Sequence, residues 1–129
     1  MTRINVIPPR KLSDKHLIAE YRELPRIFGL IRAAQDRGES INDKRNPAQY
    51  VLGSGHVRFF YDKAGWLQCR QQELVNECLH RKFNITYTDT SKLLNGIRHR
   101  RRKNWEPSEA DEALNIERIN QRGGLRPYV

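Results

Sequence analysis

The spacing of apolar residues along the chain predicts three helices joined by long polar stretches. In the first, Leu17, Tyr21, Leu24, Phe28 and Ile31 recur three and four apart, the stripe that an α-helix turns towards a core. This helix is expected to open at Ser13 or Asp14 and to run to about residue 36, with Gly38 just past its end. Ser13 as N-cap makes Leu12 and Leu17 a hydrophobic staple. Pro25 falls inside the pattern, where its ring and missing N–H predict a kink rather than a stop. The second helix is expected over about residues 62–82, with Leu67, Gln71, Leu74 and Cys78 along one face and Trp66 and Val75 beside it. The third starts at Pro107 or Ser108, where Glu109, Asp111 and Glu112 complement the helix dipole. It runs to about residue 122, before Gly123 and Gly124. Residues 39–49 and 84–104 are polar, carry Pro, Gly and Asn, and read as loops. The expected fold is all-α: a compact single domain over residues 1–129, with three main helices and long ordered loops.

Composition adds a bias towards one partner. Lys and Arg number 24 against 15 Asp and Glu, a formal charge of +9, and Arg supplies 17 of the 24. A planar guanidinium suits phosphate contact better than an ammonium does, so the bias favours nucleic acid. Apolar residues at 37% suffice for one modest core. No apolar run approaches the ~20 residues of a membrane span, and residues 1–10 lack a signal peptide's apolar stretch. A soluble, intracellular protein is expected. Cys69 and Cys78, nine apart, are expected near the same helix face and roughly 13 Å from each other along the axis, too far for a disulfide. They are expected to be reduced, with Cys78 in the core, and no His/Cys spacing suggests zinc.

The arc of the first helix opposite its apolar stripe carries His16, Glu20, Arg22, Glu23 and Arg26, with the small Ala19 in the middle. Glu23 is thus flanked by arginines at i−1 and i+3. On an anonymous helix this is a solvated face with paired charges. Thr2 and Arg3, ten residues earlier and close enough to fold back, change that reading. Removal of Met1 before the small Thr2 exposes an α-amine of pKa about 7.7–8.0, of which roughly a tenth is neutral and nucleophilic at pH 7. Nearby Arg22 and Arg26 are expected to lower that pKa further. The same two arginines are expected to hold the Glu23 carboxylate ionised, fit to stabilise a developing cation.

With Met1-Thr2-Arg3-Ile4-Asn5, then His16-Leu17 and Ala19-Glu20-Tyr21-Arg22-Glu23-Leu24-Pro25-Arg26, the chain resembles the phage-type pyrimidine-dimer DNA glycosylases of the endonuclease V family. Leu52-Gly53-Ser54-Gly55-His56-Val57, Phe59-Phe60-Tyr61-Asp62-Lys63, Glu77-Cys78-Leu79 and Phe83-Asn84-Ile85 extend the likeness over roughly residues 1–85, with the third helix matching more loosely. The resemblance implies a bifunctional glycosylase and abasic-site lyase that needs no cofactor and no metal. It implies that the Thr2 α-amine attacks C1′ at a cyclobutane dimer and forms a Schiff base, and that Glu23 is the catalytic carboxylate. It further implies that Arg3, His16, Arg22, Arg26, Arg118 and Arg122 hold DNA, and that an adenine opposite the dimer is expelled from the duplex. The implied partner is duplex DNA bearing pyrimidine dimers or abasic sites, bound by a monomer in the cytoplasm of a bacterial or virus-infected cell. The family's aromatic C-terminal tail is nearly absent, which leaves room for the same chemistry on other base lesions. A basic DNA-binding protein without catalysis is the other alternative.

Two further stretches stand out. Arg98-His99-Arg100-Arg101-Arg102-Lys103 is expected to be a non-specific phosphate-tracking loop rather than a merely solvated run. His56, in Gly53-Ser54-Gly55-His56, has no Walker lysine after it and reads as hydrogen-bonded scaffold. Trp66, Phe59, Phe60 and Tyr61 read as core anchors.

Overall fold

A computed structural model describes residues 3–127. Four helices follow in order, α1 (Asp14–Glu23), α2 (Arg26–Asp36), α3 (Ala64–His80) and α4 (Glu109–Gln121), with short 3₁₀ turns at Pro9–Lys11, Arg58–Phe60 and His99–Arg101. Among the described residues extended pairing is limited to two isolated antiparallel bridges, Leu12 with Leu125 and Lys63 with Arg102. The three expected helical segments are present, the first in two pieces.

The division of the first segment follows from Pro25. Without an N–H it cannot donate to the Tyr21 carbonyl, and the Gln71 side-chain amide fills that place at 3.0 Å. Ile27 and Phe28 instead donate three residues back, to Leu24 and Pro25. The kink is therefore a two-residue interruption across which the apolar stripe continues: Leu17, Tyr21, Leu24, Phe28 and Ile31 are all buried. Ser13 caps α1 by accepting the His16 N–H, with both staple residues, Leu12 and Leu17, fully buried. Ser108 and Asp111 form a capping box on α4. At the far end of α4, Gly123 takes φ +66° and Gly124 N–H returns to the Ile119 carbonyl, a Schellman closure that a residue with a side chain would strain.

On α3, Leu67, Leu74, Val75 and Cys78 face inward as expected; Cys69 does not share the face of Cys78, because nine residues at 100° each place it on the opposite side, and it faces solvent, with both cysteines free. Tyr50, His56, Phe59, Phe60, Trp66 and Trp105 form a contiguous aromatic cluster, with Phe59 and Phe60 edge-to-face at 5.1 Å and Trp105 over Phe59 at 5.0 Å.

The N-terminal segment runs extended through this interior, with Ile4, Asn5, Val6 and Ile7 all buried. No neighbouring strand serves its backbone, so side chains do. Ile4 N–H donates to His56 Nε2 (2.8 Å), and Tyr50 Oη donates to the Ile4 carbonyl. Val6 N–H donates to Asn115 Oδ1 (2.8 Å), and Arg70 Nη1 donates to the Ile7 carbonyl (2.6 Å). His56 Nδ1–H is held by the Val51 carbonyl, which fixes the tautomer that leaves Nε2 as acceptor. His56 is thus scaffold, as expected, and burial lowers its pKa.

Arg70 also carries a charge into the interior, where it requires an anion. Glu20 supplies it: Arg70 Nε and Nη2 donate to its two carboxylate oxygens at 2.8 and 2.9 Å, with the side chains 3% and 1% exposed. Asn5 Nδ2 donates to the same carboxylate, and Asn115 Nδ2 donates to Asn5 Oδ1. The network ties the N-terminal segment to α1, α3 and α4 at once.

Substituting Arg70→Met leaves Glu20 buried without its cation, a loss on the order of 3–5 kcal/mol. Urea unfolding should show that loss, and a change below about 1 kcal/mol would mean that the pair does not hold the fold together.

Candidate active site

A cleft of about 270 Å³ lies between the N-terminal segment, α1 and the C-terminal end of α4, lined by Arg3, Asn5, His16, Ala19, Glu20, Glu23 and Arg122. Positions 16, 19, 20 and 23 fall on one helix face by their i, i+3, i+4, i+7 spacing. The methyl side chain of Ala19 leaves the middle of that face open. Arg3 arrives from the N-terminal segment. Arg122 arrives on α4, whose end is clasped to the start of α1: Ser13 N–H donates to the Gly124 carbonyl and Arg126 N–H to the Lys11 carbonyl, both at 2.7 Å.

Gly124 is required by closeness rather than by turn geometry. A Cβ there would lie 2.6 Å from His16 Cδ2 and 2.7 Å from Nε2. The imidazole is therefore seated against the Gly124 backbone, with Nδ1 3.2 Å from Ser13 Oγ.

The electrostatics of the cleft are cationic. Burial lowers the His16 pKa, and the charges of Lys15, Arg3 and Arg122 lower it further. Burial likewise lowers the Arg3 pKa, with Arg122 and Arg118 adding to it. Three positive side chains, Lys15, Arg3 and Arg122, thus act together with burial to hold the imidazole below its ordinary pKa. Of the two lining carboxylates, Glu20 is committed to Arg70 and Asn5. Glu23, half-buried, forms no ion pair within 4.0 Å with a described residue. The arrangement combines a field that draws in phosphate with one carboxylate placed for a developing cation.

Of the predicted site residues, Arg3, His16, Glu23 and Arg122 come together, and Arg118 stands one turn before Arg122 with its charge felt at Arg3. Thr2 lies outside the described residues. Arg22 and Arg26 do not bracket Glu23 as expected: neither pairs with it, and both are exposed. The bracketing is lost because Arg22, one residue along the helix, is turned by 100°, and Arg26 opens α2 beyond the interruption at Leu24 and Pro25. Glu20, expected on the solvated arc, is interior. Its signal was on α3, where Arg70 sits within the apolar stripe between Leu67 and Leu74 and so demands a buried anion.

Arg22 belongs to a second cleft on the opposite side of α1. About 370 Å³ in volume, it is lined by Tyr21, Arg22, Pro25, Gln71, Tyr87, Asp89, Thr90 and Leu93. The Tyr21 hydroxyl donates to the Tyr87 carbonyl and accepts the Tyr87 N–H, which fixes the loop that forms the outer wall. On its floor the buried Gln71 Oε1 has no hydrogen-bond partner among the described residues. Helix α1 is therefore a ridge between two clefts, with Lys15, Ala19 and Arg22 exposed along its crest and Arg26 exposed beyond it.

Among the described residues no group of three or more His, Cys, Asp or Glu side chains is placed to hold a metal ion. No described helix is long and apolar enough to cross a membrane.

Because like charges disfavour the imidazolium, His16 should titrate below the ordinary value of about 6.5, and Arg122→Gln should move it upward. Titration by NMR checks both, and a His16 pKa indifferent to Arg122 would refute the cationic cluster. Gly124→Ala should shift the same ring resonances and destabilise the fold by about 1–3 kcal/mol through overpacking.

Residues 1–91 match the family model described as pyrimidine dimer DNA glycosylase. The match takes in the N-terminal segment and α1 to α3 and leaves α4, with Arg118 and Arg122, outside it.

Proposed function

The chain belongs to the pyrimidine dimer DNA glycosylase family and is a DNA-repair glycosylase, and we propose that it excises cyclobutane pyrimidine dimers from duplex DNA and then cuts the strand as an abasic-site lyase. The observation that carries this reading is the cleft in which Glu23 faces Arg3, His16 and Arg122. The segment leading from it towards Thr2 is pinned at Ile4 and Val6.

In this reading the Thr2 α-amine, freed by removal of Met1, attacks C1′ of the 5′ sugar of the dimer. The C1′–N bond breaks and its electron pair leaves with the pyrimidine. Opening of the sugar ring then gives a protonated Schiff base between C1′ and the amine. Glu23 stabilises the positive charge as it develops and assists the proton transfers. Loss of a C2′ proton expels the 3′ phosphate by β-elimination, and water releases the enzyme. Arg3, His16, Arg118 and Arg122 hold the phosphates of the attacked strand, while Arg22 and Arg26 hold DNA across the crest of α1.

The second cleft suits the adenine expelled opposite the dimer. Its Tyr21 and Tyr87 side chains offer aromatic surface. Beneath them lies the buried Gln71 Oε1, without a hydrogen-bond partner among the described residues. Base-pair opening costs least at a distorted lesion, so a ridge that occupies the opening and a pocket that receives the base act together on selectivity.

Borohydride trapping on UV-irradiated, abasic and undamaged duplexes tests the chemistry, with mass spectrometry locating the adduct. A dimer-dependent adduct on the Thr2 amine is expected. Trapping on abasic DNA alone would redirect the glycosylase to another lesion, and no adduct from protein lacking Met1 would leave DNA binding without lyase catalysis. Glu23→Gln should lower strand cleavage by at least about 10²–10³-fold while sparing DNA binding; retained cleavage would remove Glu23 from the mechanism.

A further inference from the structure

The basic run at residues 98–103 divides into two kinds of side chain. Arg101 is buried and donates to the Tyr61 and Glu39 carbonyls. Arg102 donates to the carbonyls of Ile97 (2.8 Å) and Leu94 (3.1 Å), folding back on its own loop. These two are structural, and the expectation that the whole run tracks phosphate is corrected to that extent.

The turn they hold is fixed from several sides. Arg98 N–H donates to Gln35 Oε1 at 2.7 Å, and Gln35 Nε2 donates to the Gly96 carbonyl. Lys103 N–H donates to the Asp62 carbonyl, and the Trp66 N–H to the Lys103 carbonyl. A Cβ on Gly65 would come within 2.5 Å of the Arg102 carbonyl oxygen, so the loop lies directly on the first turn of α3.

Arg98 and Arg100 project from this fixed turn into solvent. Three carboxylates of the neighbouring loops are already engaged. Glu39 pairs with Arg37 and Arg58 (both 2.6 Å), Asp43 with Arg45 (2.9 Å), and Asp62 with Lys63 (2.9 Å). Neither Arg98 nor Arg100 has a carboxylate of a described residue within 4.0 Å. Two like charges two residues apart, on a turn whose backbone is fixed and with no anion paired to them, offer a site for one, and no residue of the run lines the active cleft.

We propose that Arg98 and Arg100 form a second phosphate-contact point, which engages the backbone of duplex DNA outside the segment held at the active cleft. The proposal rests on DNA being the substrate, as read above. A fixed pair of guanidinium groups remote from the chemistry adds sequence-independent affinity and leaves the catalytic step untouched.

The test compares the full chain with its Arg98→Gln/Arg100→Gln variant, whose side chains have no partners to lose. On an undamaged duplex of about 30 base pairs, the slope of log K against log salt should fall in magnitude by about 2, the release expected of two phosphate contacts. On a duplex of about 10 base pairs centred on an abasic site, binding and single-turnover cleavage should match the unsubstituted protein. Equal slopes on the long duplex would overturn the proposal, as would an equal loss on the short one. If the unsubstituted chain itself showed no salt-dependent DNA binding, the functional reading would fall with it.

Discussion

The buried pair between Glu20 and Arg70 is the constraint from which the rest of the molecule follows. The segment from Ile4 to Ile7 crosses the interior without a partner strand, and its peptide groups must find acceptors and donors among side chains. Arg70 meets part of that demand, and in doing so brings a charge inside that only an ion pair can offset. Glu20 answers it from α1, which fixes the rotation of that helix about its axis. Once Glu20 points at Arg70, residues 16, 19 and 23 must line the space beside it. A structural ion pair thereby sets the direction of the proposed catalytic carboxylate three residues on.

The same rotation makes α1 a ridge. Its inner flank, at Leu17, Tyr21 and Leu24, is buried, and the flanks on either side open into the two clefts. Pro25 completes the arrangement. By withholding an N–H from the Tyr21 carbonyl it creates a vacancy that Gln71 fills, and the amide oxygen of that same Gln71 is left free on the floor of the second cleft. One backbone irregularity thus produces both the break between α1 and α2 and the polar group on the opposite side of the ridge. In the proposed reading, a duplex astride this ridge would meet a carboxylate among cations on one side and a partly aromatic hollow on the other, an arrangement suited to DNA whose strands have been parted.

Local patterns in the sequence disclosed the helices well, because capping, staple and stripe are interactions within a few residues. Ser13 with Leu12 and Leu17 was readable on those terms, as was the start of α4 near Ser108. The candidate site was readable only in part. Glu23, His16 and Arg3 could be singled out, and Arg122 only through the family resemblance, but Glu20 was assigned to solvent because a charged residue on a helix face is ordinarily hydrated. Its partner lies fifty residues away, and only Arg70 and Gln71 within an apolar stripe hinted at buried polarity. Arg22 and Arg26 misled in the other direction: nearness along the chain suggested a pairing with Glu23, but Arg22 is turned by 100° and Arg26 lies beyond the break at Pro25. The seating of His16 on Gly124 joins two ends of the chain and has no local trace.

The arginines show why a count of charge bears only loosely on where an anion binds. Arg70 and Arg81 are matched by carboxylates, Glu20 for the first and Glu77 and Asp14 for the second, so their fields are largely cancelled. Arg32 and Arg102 donate to backbone carbonyls instead. A neutral carbonyl orders the guanidinium without removing its charge, so these side chains brace the loop from residue 93 to residue 102 and still contribute to the positive potential around it. An arginine used this way has two roles that an ion-paired one cannot combine. The excess of +9 is therefore not spread evenly over the surface. Cations outnumber unpaired acids at the cleft beside α1, where Arg3 and Arg122 face Glu23, and at the turn that carries Arg98 and Arg100.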